Sequence, residues 1–244
     1  RLFVWQKLFP DCDFKFYYIN RIKDALIRPD FFQLLNKYWQ ADNFRKIEFY
    51  ENPDSSPNKI CITQGTIIES IVEQVEKATN GKEFQDVFVT APTGAGKSLL
   101  FQIPAIYLAA KSNLLTIVIS PLKALMLDQV SQLKEKGIDG VAYINSDLSH
   151  IQKQEIIGKV KKDEISILYL SPELLLAYDI RSLIGDERKI GLIVVDEAHL
   201  VTTWGRDFRI DYWYLGSYLE KLRANTNDTE HSRFVVAAFT ATAV

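Results

Sequence analysis

Residues Ala91-Pro92-Thr93-Gly94-Ala95-Gly96-Lys97-Ser98 stand between the apolar stretches Val87-Phe88-Val89 and Leu99-Leu100-Phe101. A tight glycine turn joining a buried strand to a helix is what this spacing requires, and it points the chain towards an α/β fold. In such a turn the backbone N–H groups of residues 93 to 98 face a helix N-terminus, where unpaired amides and the helix dipole favour phosphate. Thr93, Gly94, Ala95, Gly96, Lys97 and Ser98 are therefore candidate nucleotide-binding residues. Lys97 would reach the β and γ phosphates, and the Ser98 hydroxyl would ligate Mg2+. The pattern G-x-x-x-x-G-K-[ST] has glycine at its first position, where this chain has Ala91. T-G-A-G-K-S keeps glycine where the backbone must lie closest to phosphate.

The β-branched run Ile190-Gly191-Leu192-Ile193-Val194-Val195 reads as a central parallel strand buried on both faces, and it ends in Asp196-Glu197-Ala198-His199. Two carboxylates at the C-terminal end of a buried strand are costly without a cation. That end of an open α/β sheet is also where ligands bind. Asp196 is thus the candidate for holding Mg2+, and Glu197 for orienting and deprotonating an attacking water, with Lys97 completing the catalytic set.

Composition narrows the partners. Hydrophobic residues make up 47% of 244, ample for a core, and the net charge of −2 gives no global basic field. A nucleic-acid partner would have to be held by a local cleft. Cys12 and Cys61 lack the companions of a zinc site or a disulfide framework, which suits a reducing cytoplasm. No apolar run approaches the roughly 18 residues of a membrane span, and no signal peptide is evident. The chain opens on Arg1 and closes on Ala243-Val244, which reads as a piece of something longer.

Residues 1 to 58 hold about half of the aromatics and no catalytic pattern. They read as an accessory segment that packs its aromatics onto the main domain, or else as a platform for nucleobases. Asn20 to Gln40 suggests one or two amphipathic helices broken near Pro29. The turn-rich stretch 51–58 is the expected boundary before a domain over 59–244. Beyond it, helices are expected over 64–78, after Lys97, and over 122–136, 151–160 and 212–223. Strands are expected over 86–90, 114–119, 141–144, 165–170, up to 195, and over 234–238. The alternation implies a mainly parallel sheet flanked by helices.

The strand ends in order carry A-P-T-G-A-G-K-S, S-P-L-K-A-L-M-L-D-Q-V (120 to 130), I-N-S (144 to 146), Y-L-S-P-E-L-L (169 to 175), D-E-A-H (196 to 199), W-G-R-D-F-R (204 to 209) and F-T-A-T-A (239 to 243). The series resembles the first motor domain, a RecA-like P-loop domain, of superfamily 2 DEAH-box helicases. It is most similar to RecQ DNA helicases, over residues 64 to 244. D-E-A-H alone indicates only the superfamily; S-P-L-x-x-L-M-x-D-Q-V together with W-G-x-D-F-R is far more restrictive.

The resemblance implies ATP and Mg2+ as cofactors and single-stranded or forked DNA as partner. It also implies a second RecA-like domain in the full-length protein and a cytoplasmic, nucleoid-associated or nuclear location, with no membrane. Gln64 matches the glutamine that reads adenine, although it could simply begin a helix. The family places an aromatic and an arginine within a few residues before that glutamine. Lys59 to Thr63 stand there instead, so the stacking group would be Arg45 or Tyr50, or base selectivity is relaxed. Pro121, Lys123, Asn145, Ser146 and Ser171 would line a groove contacting phosphates. Trp204, Phe208 and Arg209 occupy the place of the aromatic-rich loop, which can stack on an unpaired base. Here Arg206 replaces the usual His and Ile210 the usual Pro. His199, Thr240 and Thr242 would couple the ATP site to the strand groove.

The expected activity is ATP-driven translocation on single-stranded DNA with duplex unwinding. Two alternatives remain at this stage. One is an RNA-remodelling or duplex-translocating ATPase on the same fold. The other is a nucleotide-gated interaction module that recruits protein partners through residues 1 to 58.

Overall fold

The computed structural model describes residues 26–50, 58–185, 188–199, 210–224 and 233–241. The first helix, α1 (Pro29–Trp39), opens on a proline at its first turn, where the missing N–H costs nothing, and closes at Gln40 in a left-handed conformation. Two antiparallel strands follow, β1 (Lys46–Tyr50) and β2 (Lys59–Thr63). α2 (Gln64–Thr79) is capped by Thr63, whose side chain accepts the Thr66 N–H.

Next come β3 (Val87–Thr90), α3 (Lys97–Ser112), β4 (Leu115–Ile119), α4 (Lys123–Glu135) and β5 (Val141–Ile144). A capping box between Ser149 and Gln152 starts α5 (His150–Lys161). β6 (Ile167–Leu170), α6 (Pro172–Ala177), α7 (Ile180–Ile184), β7 (Ile190–Val195), α8 (Ile210–Ala224) and β8 (Val235–Thr240) complete the described elements.

The strands β3 to β8 form one sheet in the order β3-β8-β7-β4-β6-β5, with every neighbouring pair parallel. The residues of β4, β6, β7 and β8 are all buried, as continuous apolar strands require when helices cover both faces. Alternate residues feed two cores. Val118, Leu192, Val194, Val235, Ala237 and Phe239 join α1, α2, α3 and α4 on one face. Ile117, Ile119, Ile193, Val195, Val236 and Ala238 join α5, α6, α7 and α8 on the other.

The helices and strands expected between residues 64 and 240 are present within a few residues of their predicted ends. The strands β1 and β2, which pair with each other on either side of the expected boundary, were not anticipated. Phe31, Leu35, Phe44, Ile47 and Ile62 are buried in the same core as α2 and α3. The short helices α6 and α7 were not anticipated, since six and five residues are too few to display a period. Among the described residues no helix is long and apolar enough to cross a membrane.

Candidate nucleotide and nucleic-acid site

The C-terminal ends of β3, β8, β7 and β4 are tied together by backbone hydrogen bonds beyond the strands themselves. The Ala91 N–H donates to the Thr240 carbonyl at 3.0 Å, that of Ala198 to Phe239 at 2.9 Å, and that of Asp196 to Ile119 at 2.9 Å. Three parallel strands thus deliver the glycine turn, the paired acids and Thr240 to one edge, the place a parallel sheet offers a ligand.

Within the turn, Gly94 and Gly96 adopt φ of 82° and 75°, which L side chains rarely adopt. Ala91 has no positive φ, so alanine is accommodated where the common pattern has glycine. A Cβ at Gly96 would lie 2.6 Å from Gln64 Nε2 and would push that amide off Ala95 O. The loop folds on itself through Ala95 N–H to Pro92 O at 3.2 Å. Lys97 donates to the Ala91 and Pro92 carbonyls at 3.2 and 3.4 Å. Thr93 is exposed, whereas Ala95, Lys97 and Ser98 are half-buried, with Lys97 and Ser98 opening α3. Two carbonyl oxygens are weak partners for an ammonium group beside a row of backbone amides, and a phosphate is the better one.

Asp196 is 4% exposed. Burial above all, then the neighbouring charge of Glu197, pushes its carboxyl up to about 6; the Glu197 N–H, the Lys97 charge and a hydrogen bond from Gln129 oppose the rise. Glu197 sits at φ 50°, a left-handed conformation disfavoured for a side chain of its kind, which turns its carboxylate off the strand direction. His199 Nδ1 lies 3.2 Å from Glu197 Oε2 and 3.0 Å from Thr240 Oγ1. A carboxylate only accepts, so the Glu197 contact needs Nδ1–H, whereas a bond donated by Thr240 needs the bare nitrogen. One imidazole nitrogen is thus within hydrogen-bond reach of both the Glu197 carboxylate and the Thr240 hydroxyl, which can accept from Nδ1–H or donate to a bare Nδ1.

Gln64, 3% exposed, spends its amide on backbone: Oε1 accepts from the Arg45 N–H at 3.1 Å and Nε2 donates to Ala95 O at 2.9 Å. Its own N–H donates to Arg45 O at 2.9 Å. Arg45 stands beside Gln64 in space, with Phe44 before it, and the paired strands β1 and β2 lie between them along the chain. Phe44 is buried against Gly65, and Arg45 is exposed.

On the other half of the sheet edge, Asn145 Oδ1 accepts the Asp147 N–H at 3.0 Å, and Asp147 pairs with Lys123. Pro121, Asn145 and Ser171 are buried, whereas Ser146 is exposed. The structure brings Lys123, Asn145 and Ser146 together and leaves Lys123 balanced by an acid. Trp204, Phe208, Arg209 and Thr242 lie outside the described residues. Sequence reasoning missed Gln129 as a partner of Asp196, although it lies in the quoted run 120–130, and it missed Asp147 entirely. Among the described residues no cluster of His, Cys, Asp and Glu forms a ready metal site.

Residues 64–244 match the DEAD/DEAH box helicase family. ATP-dependent DNA helicase RecQ of Haemophilus influenzae is 39% identical over 171 residues, covering 70% of this chain and 25% of that protein. RecQ of Bacillus subtilis is 39% identical over 65% of this chain and 24% of its own length. ATP-dependent helicase SGS1 of Saccharomyces cerevisiae is 37% identical over 69% of this chain and 11% of its own. The chain thus spans about a quarter of its bacterial relatives, or less of SGS1. In structure it resembles the DEAD-box helicase Mss116 bound to ssRNA and UDP-BeF, with a TM-score of 0.57 at 17% identity, over 95% of this chain and 42% of that one. The DUF1998 helicase MrfA bound to DNA and AMPPNP gives 0.53 at 19% identity, over 82% and 28%.

Proposed function

Because this chain belongs to the DEAD/DEAH box helicase family, we propose that it is the first, ATP-binding motor domain of a RecQ-like DNA helicase, which hydrolyses ATP to move along single-stranded DNA and open duplex. The observation that carries this reading is the meeting of the glycine turn, Asp196-Glu197 and the His199 to Thr240 bridge at one sheet edge.

The amides of residues 93 to 98 and the Lys97 ammonium bind the β and γ phosphates. Ser98 and Asp196 fit a divalent cation: the Asp196 carboxyl, pushed up to about 6 by burial and by Glu197, is an acid that a cation would keep ionised. Bound there, Mg2+ would offset phosphate charge. Glu197 orients water and takes its proton as the oxygen attacks the γ phosphorus and the bond to ADP breaks. His199 exchanges its Nδ1 partner between Glu197 and Thr240, which ties the water's base to the end of β8. Arg45, exposed, takes the adenine by its guanidinium face, and Gln64 meets the base's edge with the second Nε2 hydrogen and the second Oε1 lone pair, the first of each being held by Ala95 O and the Arg45 N–H.

Lys123, Asn145, Ser146, Ser171 and Pro121 meet the DNA backbone, a sequence-independent contact suited to a motor. Trp204, Phe208 and Arg209 stack on an unpaired base, and Thr242 continues the coupling from Thr240. Protein partners would be recruited through residues 1 to 58. The closeness of the RecQ proteins favours DNA over RNA as the track.

The test is ATPase activity of the full-length protein with single-stranded DNA, duplex DNA, single-stranded RNA or none, and with Glu197→Gln as the blank. Strong stimulation by single-stranded DNA, abolished in the variant, is expected. Stimulation by RNA or duplex alone would overturn the DNA reading, and none by any would overturn the motor.

A further inference from the structure

The pairing of β1 with β2 follows one register: Lys46 with Thr63, Ile47 with Ile62, Glu48 with Cys61, Phe49 with Ile60 and Tyr50 with Lys59. Continued by one step, it sets Arg45 opposite Gln64. That rung is present in altered form. The Gln64 N–H donates to Arg45 O at 2.9 Å. The return bond from the Arg45 N–H goes to the Gln64 side-chain Oε1, at 3.1 Å, because Gln64 already begins α2 and its backbone carbonyl belongs to the helix. The opposite end of the same amide reaches the phosphate loop at Ala95 O, 2.9 Å away, over a glycine that leaves no room for a Cβ.

The hairpin is itself anchored. Ile47 and Ile62, a cross-strand pair, are 4% and 6% exposed, and Phe49 and Ile60 pack against the same core. Phe32 of α1 and Phe44, between α1 and β1, have ring centroids 5.1 Å apart and belong to the same core. The outer face carries Lys46, Glu48, Lys59 and Cys61, all exposed. Slippage by one residue would turn this buried face outward, so the register is strongly specified.

We infer that the β1–β2 hairpin is the positioning element for base recognition: its register holds Arg45 and Gln64 in one rung and so determines whether the site tells adenine from other bases. The inference rests on the proposed reading of Arg45 and Gln64 as the adenine contacts. Phosphate binding draws on the amides of residues 93 to 98 and on Lys97, and it meets the hairpin's rung through the Gln64 contact to Ala95 O.

The test inserts one alanine between Arg45 and Lys46, which moves Arg45 off the rung and leaves the five pairs intact. E48C accompanies it in a Cys12→Ser background. Directly opposed residues in such a ladder are close enough for a disulfide, so E48C oxidises onto Cys61 only where the register survives. Dissociation constants for ATP, GTP and inorganic tripolyphosphate are measured by competition against a fluorescent ADP analogue. The parent chain is expected to prefer ATP over GTP by about tenfold or more, the range of a good bidentate base contact. The cross-linked insertion variant is expected to show a preference below about twofold, with tripolyphosphate affinity unchanged. A retained preference in the cross-linked variant overturns the inference, and so does an equal loss of tripolyphosphate affinity. If the insertion does not cross-link, Phe49→Gly with Ile60→Gly, which loosens the hairpin above its base, is read by the same ratio, and an unchanged preference there also overturns it. Absence of any ATP preference in the parent chain would instead defeat the adenine reading beneath it.

Discussion

Asp196 shows how a single residue sets function against stability. Its carboxyl titrates near 3.8 in the unfolded chain and is held up to about 6 in the fold, first by burial and then by Glu197. Ionising it in the nucleotide-free protein therefore costs stability, a cost absent below about pH 4, growing as pH rises to about 6 and constant above. A difference of about two in pKa corresponds to ~3 kcal/mol. Asp196→Asn is expected to stabilise the nucleotide-free chain by that order at pH 7.5 and scarcely at pH 4, as read by urea unfolding, while abolishing hydrolysis. The same gain at both pH values would show that ionisation is not its source. At the far end of the sheet edge, Lys123 is balanced by Asp147 at a part-exposed pair. Releasing the lysine adds a cation to the phosphate groove, so Asp147→Asn should tighten single-stranded DNA binding by roughly threefold at low salt, the effect fading as screening grows. Unchanged affinity, measured by fluorescence anisotropy, would remove Lys123 from the groove.

At the level of elements, the legible parts were those whose residues announce a period or an uninterrupted apolar run. Ile190 to Val195 could be little else than a buried parallel strand, and the glycine turn fixed both β3 and α3. The hairpin was illegible for a physical reason. Each of its strands has only five residues, β2 alternates its isoleucines with the weakly polar Cys61 rather than with a run of charges, and the polar stretch between them has the composition of a linker. Only the tertiary rung between Arg45 and Gln64 shows that Phe44-Arg45 lies beside the helix that Gln64 opens. α1 belongs to the segment expected to pack its aromatics onto the main domain, and Arg28, just before it, reaches Glu69 at 2.7 Å, Glu76 at 2.7 Å and Tyr107 at 3.0 Å. Phe31 is fully buried, edge-on to Tyr107 at 5.0 Å. A fully buried phenylalanine truncated to alanine typically costs ~3 to 5 kcal/mol. Phe31→Ala is accordingly expected to unfold the whole α/β domain at markedly lower denaturant, with one transition by both fluorescence and circular dichroism. A separate early transition with the main midpoint unchanged would mean that α1 is an appendage.

For the whole molecule, the question is which charges meet at the sheet edge. Lys97 is the cation that acts on Asp196 there, and one ammonium group cannot by itself balance the charge that builds on a transferring phosphoryl group. Related phosphoryl-transfer enzymes add arginines to that end, and these contribute roughly 10³ to 10⁵ in turnover. In the proposed reading they come from a second RecA-like domain, and the chain spans about a quarter of the Haemophilus influenzae and Bacillus subtilis proteins. The 244-residue chain should therefore bind ATP with the affinity of the full-length protein, because the glycine turn, Gln64 and Arg45 are all its own. Its turnover should be lower by at least ~10³, and single-stranded DNA should leave that rate unchanged. Equilibrium binding alongside single-turnover hydrolysis separates the two quantities. Matching rates in the short and full-length chains would show that Lys97, Glu197 and the backbone amides suffice, and that a second domain contributes motion rather than chemistry.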